Sequence, residues 1–422
     1  MYLFDQVKLS GREMGDTTEY ARYLDVRNRE LQVPGDYLRK RLENRSVLVT
    51  GATGCVGDAL LSQLSRFDPA ALIGVGLEEP ARRRADIEYV FMDIRESSQL
   101  RRLFRRSRPD IVFHLAAQRD PGLAEKAVVA TVTTNVLGTA NVIQHAVDVG
   151  VEDLVYASTG KAMRLYTRDV YAASKKIAEW MVARAGSEDR LAVTSARFTH
   201  VVDNSIVLEK FRALCRAGAA LPLHSPKAAF YVQSAIESAQ LLMTSLLIGR
   251  HDRQTICAIN DLGWPFEVID IANGVIREVG NRVDIAVVGE EDGYEQGVYP
   301  GVFDRQVSGD ISPLINAVEA RGVLDVDYFG VDAVRVRVPN GEAEQKIFQN
   351  LMTSCSHPAS PEAVRNCVDE LLRQLLSATL AATPDQIIAR MMKFLPAPEG
   401  MSSRHSHALI GEMVRQRASA FI

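Results

Sequence analysis

The sequence predicts an α/β protein built on a doubly wound parallel sheet, with a smaller second lobe and a helical appendage at its C-terminus. Short β-branched runs alternate with helical patterns from Ser46 onward, beginning with SVLVT, DALLSQLSRF, ALIGVG and EYVFMDI. Strands separated by helices predict right-handed crossovers and parallel pairing. The alternation stops near residue 331, where amphipathic patterns such as PEAVRNCVDELLRQLLSATLAA follow one another.

Length and composition limit the class of protein. The 422 residues exceed what one compact domain usually needs, and 47% hydrophobic with 24% charged residues are typical of a globular chain. A net charge of -4 gives no basic footprint for nucleic acid. No signal-peptide pattern and no bilayer-length apolar run are present, so we expect a cytoplasmic protein with no membrane partner. Five cysteines without CxxC spacing predict neither a disulfide framework nor a metal site.

A glycine-rich turn joins the first predicted strand to the first helix of the sheet. The segment TGATGCVG places Gly51, Gly54 and Gly57 there. The first glycine permits a sharp turn, the second lets a pyrophosphate approach the backbone, and the third permits tight packing of helix on sheet. The helix N-terminus then faces the anion. We therefore expect a Rossmann-like dinucleotide site formed by Thr50, Gly51, Thr53, Gly54, Cys55, Val56 and Gly57.

The chain divides into three predicted parts. Residues 1–45 form a polar helical leader interrupted by Pro34 and Gly35. Residues 46–330 form the α/β domain, in which about 46–195 would hold the cofactor and about 196–330 would form the substrate lobe. Residues 331–422 form a C-terminal helical extension.

The end of the second strand decides which nicotinamide dinucleotide fits, because an acid there binds the adenosine ribose and excludes a 2′-phosphate. Gly76 lies at this point, and Glu78 follows two residues later. Arg82, Arg83 and Arg84 come next and offer cations for a phosphate, although an arginine run on a solvated loop explains them equally well. The sequence predicts NADP or NAD, with a slight preference for NADP.

Tyr171 and Lys175 lie on one face of a predicted helix. A phenol with a pKa of about 10 is a poor base at neutral pH unless a nearby ammonium favours the phenolate. Lys175 can supply that ammonium and hold a nicotinamide ribose, so that the pair removes a proton from a substrate hydroxyl while hydride leaves the same carbon. Thr159, at the end of the preceding strand, would polarise the reacting oxygen. The pattern predicts hydride transfer.

Six motifs follow one another in a characteristic order: VLVTGATGCVG, HLAAQRDP, TNVLGTANV, VEDLVYASTGKA, VYAASKKIAEW and SARFTHVV. Over roughly residues 25–300 the chain resembles the extended short-chain dehydrogenase/reductase superfamily, and within it the polysaccharide-biosynthesis group of UDP-N-acetylglucosamine 4,6-dehydratases. The resemblance implies that Asp93 contacts adenine. It also implies that the cofactor is lined by Ile94, Leu115, Ala116, Ala117 and Asn135.

This chain departs from the catalytic triplet of that group. The resemblance implies a Thr that assists the Tyr, an Asp that protonates the departing hydroxyl and a Lys that removes a C5 proton. This chain reads Thr159, Gly160 and Lys161. Loss of a proton donor costs of the order of a hundredfold or more, and glycine offers no substitute. Lys161 is then either the base of an epimerisation or a surface residue.

The expected substrate contacts also differ from the family pattern. The run RFTH at 197–200 replaces Arg-Phe-Gly-Asn, so His200 is a candidate ligand or acid, with a packing role as the alternative. Arg119, after HLAAQ, is a candidate contact for an anionic substrate. The segment EEDGYEQGVYPG replaces a basic nucleotide-holding segment, and its acids would repel a pyrophosphate. These acids are Glu290, Glu291, Asp292 and Glu295.

Three functional hypotheses follow. The first is an NAD(P)-dependent enzyme that oxidises or epimerises a sugar through transient hydride transfer. The resemblance implies that this sugar is linked to a nucleotide. The second is a 4,6-dehydratase in which Asp169 or His200 supplies the acid. The third is a non-catalytic NAD(P)-binding scaffold. The resemblance also implies a homodimer or higher homo-oligomer, paired through the helix 133–149 and the Tyr171 helix.

Overall fold

The fold is described by a computed structural model that covers residues 17–188, 191–249, 254–289, 310–324, 329–356, 360–395 and 406–420. The acidic segment 290–301 lies outside these residues. Its expected effect on a pyrophosphate therefore stays a prediction.

The strands of the described residues fall into one large sheet and three small ones. In chain order they are β1 (Ser46–Thr50), β2 (Ala71–Gly76), β3 (Glu88–Phe91), β4 (Ile111–His114), β5 (Asp153–Thr159), β6 (Ala192–Phe198), β7 (His200–Val201), β8 (Leu221–Leu223), β9 (Ala229–Phe230), β10 (Val232–Gln233), β11 (Gln254–Ile259), β12 (Phe266–Glu267), β13 (Ile285–Val287) and β14 (Val331–Arg335). The large sheet has the order β3-β2-β1-β4-β5-β6-β11-β14, parallel throughout except for β14. The predicted doubly wound parallel sheet is confirmed.

Helices connect these strands and extend beyond them. They are α1 (Thr17–Asp25), α2 (Gly35–Leu42), α3 (Cys55–Leu64), α4 (Ser97–Ser107), α5 (Pro121–Lys126), α6 (Val128–Val132), α7 (Gly138–Val149), α8 (Val170–Glu188), α9 (Ile206–Arg216), α10 (Ala235–Ile248), α11 (Val268–Val279), α12 (Glu342–Ser356), α13 (Pro361–Ala381), α14 (Asp385–Phe394) and α15 (Ser406–Ala418). A π-helical turn, Thr133–Leu137, joins α6 to α7. No helix in the described ranges combines the length and apolar character needed to cross a membrane.

The large sheet is covered on both faces. One face packs against α3 and α10, through apolar side chains such as Leu60 and Leu241. The other face packs against α4, α7 and α8, through side chains such as Phe104 and Val142. Burial on both faces explains why the strands read as nearly continuous apolar runs. The carboxyl ends of β1, β4 and β5 consequently meet at one edge, where the predicted site residues lie.

The interval expected to form the substrate lobe is split between two places. Helix α10 and strand β11 belong to the large sheet and its covering layer. Helix α10 is buried almost all round, which is the signature of a core helix rather than of a surface lobe. The separate lobe is built from α9, α11 and the three small sheets, with Phe211 and Phe266 in its core. The large sheet and its covering helices therefore continue past the expected boundary at 195/196, because α10 and β11 belong to them.

The described part of the leader wraps this lobe and the sheet. Helix α1 packs on α11 and buries Tyr23 completely, with its ring 5.5 Å from that of Phe266. Arg29 then pairs with Glu237 at 3.0 Å. Helix α2 places Leu38 in the core beside the sheet. The described part of the leader is thus packed on the domain.

The C-terminal extension begins with a strand instead of a helix. Strand β14 pairs antiparallel with β11 and buries Val331, Ala333 and Val334. The first helix of the extension is α12, and the expected helical boundary at 331 therefore needs correction. Helices α12–α15 pack onto α6, the π-helical turn and α8 in one apolar cluster. Helices α12–α15 thus cover much of the face that was expected to pair with a second subunit.

Candidate active site

The glycine turn lies between β1 and α3, beside the end of β4. Gly51 has a φ of +70°, and a β-carbon there would lie 2.7 Å from the amide nitrogen of Ala116. A β-carbon on Gly57 would overlap the carbonyl oxygen of Gly51. Gly54 is exposed and caps α3, and its β-carbon would meet the Gly51 oxygen at 3.3 Å. Two glycines therefore close the turn, while the third leaves backbone accessible at the start of a helix.

A buried hydroxyl fixes this turn to the next strand. Thr50 Oγ1 accepts hydrogen bonds from the amides of Leu115 and Ala116, each at 3.2 Å. The same oxygen lies 2.7 Å from Nδ1 of His114. Residues 115–117 are half-buried along the edge of the turn. The expected cofactor-lining stretch is therefore held in place by the last residue of β1.

His114 continues this chain of hydrogen bonds on its other side. Its Nε2 lies 2.9 Å from Thr139 Oγ1, which donates its own proton to the carbonyl oxygen of Asn135. Nε2 of His114 must then be the donor, so Nδ1 accepts from Thr50. Burial, and next the charge of Lys175, lowers the pKa of His114 to about 3. The ring is a neutral structural link.

The ribose end of the expected cofactor site lies where β2 finishes. A β-carbon on Gly76 would stand 2.6 Å from Thr53 Oγ1, so a side chain at this position would collide with the glycine turn. Cys55 and Val56, the first residues of α3, are half-buried beside it. Glu78 is exposed two residues beyond. An acid is thus absent from the strand end for a steric reason.

The arginines proposed for a 2′-phosphate are largely engaged. Arg83 pairs with Glu79 at 2.8 Å on the surface. Arg84 pairs with Asp58, in the first turn of α3, at 2.7 Å. Arg82 is exposed. A 2′-phosphate would have to compete with two carboxylates for Arg83 and Arg84.

Asp93 and Ile94, expected near the adenine, have different environments. Asp93 is half-buried and pairs with Arg95 at 2.6 Å, and this hydrogen bond lowers its pKa. Ile94 is buried against Gly138, where a β-carbon would lie 2.5 Å from its Cδ1. The Ile94 side chain is therefore committed to packing against α7, whereas its backbone follows Asp93 along the edge of the sheet.

Asn135 lies in the π-helical turn and links two parts of the site. Its Oδ1 accepts from the amide of Gln118 at 2.8 Å, and its Nδ2 donates to the Gln118 carbonyl and to Ser174 Oγ. Ser174 in turn donates to the carbonyl oxygen of Tyr171 at 2.8 Å. A π-turn commonly marks a functional position. Here it ties the loop after β4 to α8 (Val170–Glu188), which carries Tyr171.

Tyr171 lies in the first turn of α8, against the end of β5. Thr159 is the last residue of that strand. Burial raises the pKa of Tyr171 to about 12, and the neighbouring Thr159 side chain opposes this rise. The joint action of Thr159 and Tyr171 on a substrate oxygen stays a prediction. Burial is the largest cause of the shift, so the phenol pKa moves upward, opposite to the lowering expected from Lys175.

Lys175 lies one turn farther along α8 and is 3% exposed. Its Nζ donates to the carbonyl oxygen of Ala157 at 2.6 Å and stands 4.2 Å above the ring of Tyr156. Burial lowers the pKa of Lys175 to about 7, and Glu179 opposes this effect. Tyr156 carries no functional signal in the sequence, and its ring lies under the ammonium.

Gly160 stands where the resembled family carries its acid, and the space beside it is filled. A β-carbon on Gly160 would lie 2.7 Å from Cδ2 of Leu314 and 3.5 Å from the carbonyl oxygen of Phe198. Leu314 is buried, and it comes from the segment 310–324. The missing acid is thus replaced by an apolar wall.

Lys161 and Asp169 pair beside this wall. Lys161 Nζ lies 3.2 Å from Asp169 Oδ2, and Arg164 Nη1 lies 3.8 Å from the same oxygen. Asp169 also accepts from the amide of Ala172 at 3.1 Å, and so caps the start of α8. Its side chain is fully buried. These bonds commit the proposed replacement acid Asp169 to holding the catalytic helix.

Arg119 and His200 lie near each other and near Tyr171. The charge of Arg119 lowers the pKa of both Tyr171 and His200, in each case less than burial shifts it. Burial, Arg119 and Lys161 together lower the pKa of His200 to about 4. His200 Nε2 is 2.7 Å from Ser205 Oγ, and its ring centre lies 4.4 Å from that of Phe230, with the two rings tilted by 34°. Within the described ranges, no group of three His, Cys, Asp or Glu residues is arranged for a metal ion.

A buried ion cluster that the sequence analysis missed holds the wall in place. Arg197 is fully buried and pairs with Glu179 at 2.8 Å and with Glu319 at 2.7 Å. Its Nη1 also donates to the carbonyl oxygen of Leu314 at 2.9 Å. One signal was available, because Glu179 follows Lys175 by one helical turn and so shares its face. The partners from 310–324 carried no local signal.

The doubly wound sheet, the glycine turn and the Tyr171–Lys175 helix define the extended short-chain dehydrogenase/reductase class. Within that class, a family model described as polysaccharide biosynthesis protein matches residues 47–298, and the chain belongs to this family.

Individual relatives differ from the chain in length and sequence. The capsular polysaccharide biosynthesis protein CapD of Staphylococcus aureus is 27% identical over 281 residues, which are 63% of this chain and 45% of CapD. Overall the chain spans about half the length of such curated relatives, 45% and 48% in two cases.

Solved structures share the fold at lower identity. The epimerase Mth375 of Methanothermobacter thermautotrophicus has a TM-score of 0.54 and 23% identity, covering 61% of this chain and 84% of its own. DesIV, a dTDP-glucose 4,6-dehydratase from Streptomyces venezuelae solved with NAD and TYD, has a TM-score of 0.52 and 20% identity, covering 59% and 86%.

Proposed function

We propose that the chain is an NAD(P)-dependent enzyme that oxidises or epimerises a nucleotide-linked sugar through transient hydride transfer. One observation carries the proposal: Tyr171 lies at the end of β5 beside Thr159, which lowers its pKa, and one turn from the buried ammonium of Lys175. This arrangement provides a proton acceptor beside an oxygen-polarising hydroxyl. The family to which the chain belongs, and the epimerases and dehydratases among its relatives, supply the substrate class.

The glycine turn fits a dinucleotide. Gly51 and Gly57 leave no room for side chains, and the exposed Gly54 presents backbone at the N-terminus of α3, which favours a pyrophosphate. When bound, a nicotinamide cofactor accepts a hydride and returns it. The residues proposed to hold it are Thr50, Gly51, Thr53, Gly54, Cys55, Val56, Gly57, Asp93, Ile94, Leu115, Ala116, Ala117, Asn135, Tyr171 and Lys175.

The proposal covers both NAD and NADP. The ion pairs of Arg83 with Glu79 and of Arg84 with Asp58 weaken the initial preference for NADP, because a 2′-phosphate would have to break them. The steric block at Gly76 removes the acid that would favour NAD. Parallel titrations of the purified chain with NAD+ and NADP+ decide between the two.

The chain's own residues supply the proton chemistry. Tyr171, as the phenolate, accepts the proton of the sugar hydroxyl that is oxidised and becomes the neutral phenol. Thr159 stabilises the phenolate before this transfer, in accord with its opposing effect on the phenol pKa. Lys161 is the proposed base for removal of a proton beside the new ketone. Asp169 holds Lys161 at 3.2 Å and restrains it at the edge of the site. Return of the proton on the opposite face gives the epimer.

Dehydration is the disfavoured alternative. Elimination of water needs a proton donor for the departing hydroxyl, and Leu314 occupies the space beside Gly160. Asp169 is already engaged in capping α8. Burial and nearby cations lower the pKa of His200 to about 4, so its ring carries no proton to donate at neutral pH. Arg119 and His200 are proposed instead as substrate contacts.

Mass spectrometry in deuterated water tests the proposal. The chain is incubated with NAD+ or NADP+ and a panel of UDP- and dTDP-sugars. Deuterium uptake without loss of water indicates epimerisation, and loss of two hydrogens with cofactor reduction indicates plain oxidation. Loss of water would contradict the proposed reaction in favour of dehydration. Tight cofactor binding without turnover of any sugar would favour a scaffold.

A further inference from the structure

The loop 164–169 leads from the short turn that carries Lys161 to the start of α8, and five of its six residues are buried. It ends in Asp169, whose Oδ2 lies 3.2 Å from Lys161 Nζ. Within the loop, Thr167 Oγ1 accepts from the amide of Asp169 at 3.2 Å and from Nη1 of Arg164 at 3.4 Å. Side-chain hydrogen bonds thus hold the loop together, and the direction of Asp169 depends on how the whole loop is anchored.

Tyr166 anchors this loop in the C-terminal extension. It is 1% exposed and belongs to the apolar cluster shared with α13. Its hydroxyl donates to Oδ1 of Asp369 on α13, and Oδ2 of Asp369 accepts from Nε of Arg373 at 2.6 Å. Nη2 of Arg373 also lies 3.4 Å from the Tyr166 oxygen. A buried phenol is therefore bonded to an ion pair that the extension supplies.

A second anchor lies two residues further along the loop. The amide of Arg168 donates at 3.3 Å to Oγ of Ser406, the buried first residue of α15. Arg168 Nε also donates to the Tyr166 oxygen at 3.4 Å, which links the two anchors. Two helices of the extension therefore hold the backbone immediately before Asp169.

The turn that carries Lys161 is held from the other side. The carbonyl oxygen of Ala162 accepts from Nζ of Lys176 on α8 at 3.2 Å. The carbonyl oxygen of Met163 accepts from Nδ2 of Asn316 at 2.7 Å. Neither partner belongs to the extension. Lys161 is thus fixed by the α/β domain, whereas the extension fixes the loop that leads to its carboxylate partner.

The two sets of contacts meet at Asp169. Its Oδ1 accepts from the amide of Ala172 in α8, and its Oδ2 faces Lys161. The directions open to a side chain depend on the backbone that carries it. The backbone held at Tyr166 and Arg168 therefore helps to set whether Oδ2 points at Lys161.

We propose that Tyr166, Asp369 and Ser406 are positioning residues for Lys161, so that the C-terminal extension fixes the geometry of the proposed base. The inference rests on the proposed function, in which Lys161 removes a proton beside the new ketone. A misplacement of about 1 Å in a reacting group can cost about a hundredfold in rate. Hydride transfer through Tyr171 makes no use of Asp169 Oδ2, so the two steps should respond differently.

Chemical labelling of Lys161 tests the inference without turnover. The full chain is treated with limiting acetic anhydride, and peptide mass spectrometry compares the acetylation rate of Lys161 with that of Lys40, an exposed lysine on α2. An amine paired with a carboxylate reacts slowly because it stays protonated. Tyr166→Phe removes only the hydroxyl, and should raise the rate at Lys161 about fivefold as the pair with Asp169 loosens.

Further variants separate this contact from its surroundings. Asp369→Asn keeps an acceptor for the Tyr166 hydroxyl and should change the labelling less than Asp369→Ala, which removes it. Asp385→Asn is the matched control, because it breaks an ion pair with Arg417 at the end of α15 opposite to Ser406. It should leave Lys161 labelling at the wild-type rate.

The steps of the proposed reaction give a second readout. With a nucleotide sugar that the wild type converts in deuterated water, Tyr166→Phe should slow deuterium uptake about tenfold and cofactor reduction less than about twofold. A contact that merely stabilises α8 would slow both steps together.

Each outcome supports or overturns the inference. Unchanged Lys161 labelling in both Tyr166→Phe and Asp369→Ala would overturn it, as would equal slowing of the two steps. If Asp369→Ala unfolds, Tyr166→Phe decides, because its ring still fills the apolar cluster and Asp369 keeps its pair with Arg373. A wild-type chain that converts no nucleotide sugar would contradict the proposed function, and the labelling rates would still decide whether the extension positions Lys161.

Discussion

The side chain of Leu314 lies directly against the α-carbon face of Gly160, with Cδ2 2.7 Å from where a β-carbon would stand. This contact explains the glycine at the position where the resembled family carries an acid. The wall and the glycine fit each other, and Arg197 fixes the wall through the Leu314 carbonyl. The site is therefore remodelled around the missing donor.

Introducing the acid alone should destabilise the chain. Gly160→Asp forces a side chain against Leu314, and overpacking of this kind costs about 1–3 kcal/mol. Leu314→Ala in the same chain should recover part of that loss, because it removes the obstructing methyl groups. Urea unfolding of the two single variants and the double variant measures the coupling. Strictly additive losses would show that the two positions do not meet.

Replacing Lys175, the buried ammonium, should raise the free energy of unfolding and abolish turnover. Lys175→Met removes a charge whose burial lowers the pKa from 10.5 to about 7. The unfolded chain then binds more protons than the folded one between these values, so the Lys175 penalty is full below pH 7 and disappears above 10.5. The variant should gain of the order of 2–4 kcal/mol at pH 6, less the lost Ala157 hydrogen bond, while losing turnover.

Urea unfolding of Lys175→Met at pH 6 and again at high pH checks this dependence. Lys40→Met, at an exposed position on α2, is the control and should leave the unfolding free energy nearly unchanged. A stability gain that is equal at both pH values would contradict charge burial as its cause.

Breaking the Arg197 cluster should be costly. Arg197→Met leaves the carboxylates of Glu179 and Glu319 without their shared cation, and removal of one partner from a buried ion pair costs about 3–5 kcal/mol. Arg83→Met removes an exposed pair with Glu79 and should cost less than about 1 kcal/mol. Denaturant titrations compare the two. Similar losses would mean that burial does not decide the strength of the Arg197 cluster.

The C-terminal extension should restrain the catalytic helix. Arg365 on α13 pairs with Glu125 at 2.8 Å, and Glu125 accepts from the amide of Val170, the first residue of α8. An N-terminal capping contact is worth about 1 kcal/mol, so Arg365→Gln should speed amide exchange around 165–175 about fivefold. Hydrogen-exchange mass spectrometry measures this. Arg390→Gln, an exposed position on α14, should leave exchange unchanged, and equal exchange in both variants would contradict the link.

Local patterns carried much of the fold and part of the site. The alternation of strands and helices predicted the parallel sheet, because each unit signals its own period and its own turn. The glycine spacing located the turn correctly, because neighbouring backbone atoms leave no room for a β-carbon at Gly51 or Gly57. Tyr171 and Thr159 were linked by their positions on one helix and the preceding strand.

Long-range packing supplied the rest. Nothing near Gly160 in the sequence indicates Leu314, and the partners Glu179 and Glu319 of Arg197 come from separate segments. The placement of α12–α15 over α6 and α8 likewise depends on how two amphipathic surfaces match. Burial of Tyr171 reverses the phenol pKa expected from its charged neighbour alone.

Rapid mixing of the chain with nicotinamide cofactor and nucleotide sugars tests the central claim most directly. Cofactor reduction is followed by absorbance in the wild type, in Tyr171→Phe and in the exposed-site control Tyr37→Phe. We predict transient reduction in the wild type and the control, and reduction about a hundredfold slower or more in Tyr171→Phe, with cofactor affinity retained. Equal rates of reduction in the wild type and Tyr171→Phe would contradict hydride transfer through this site.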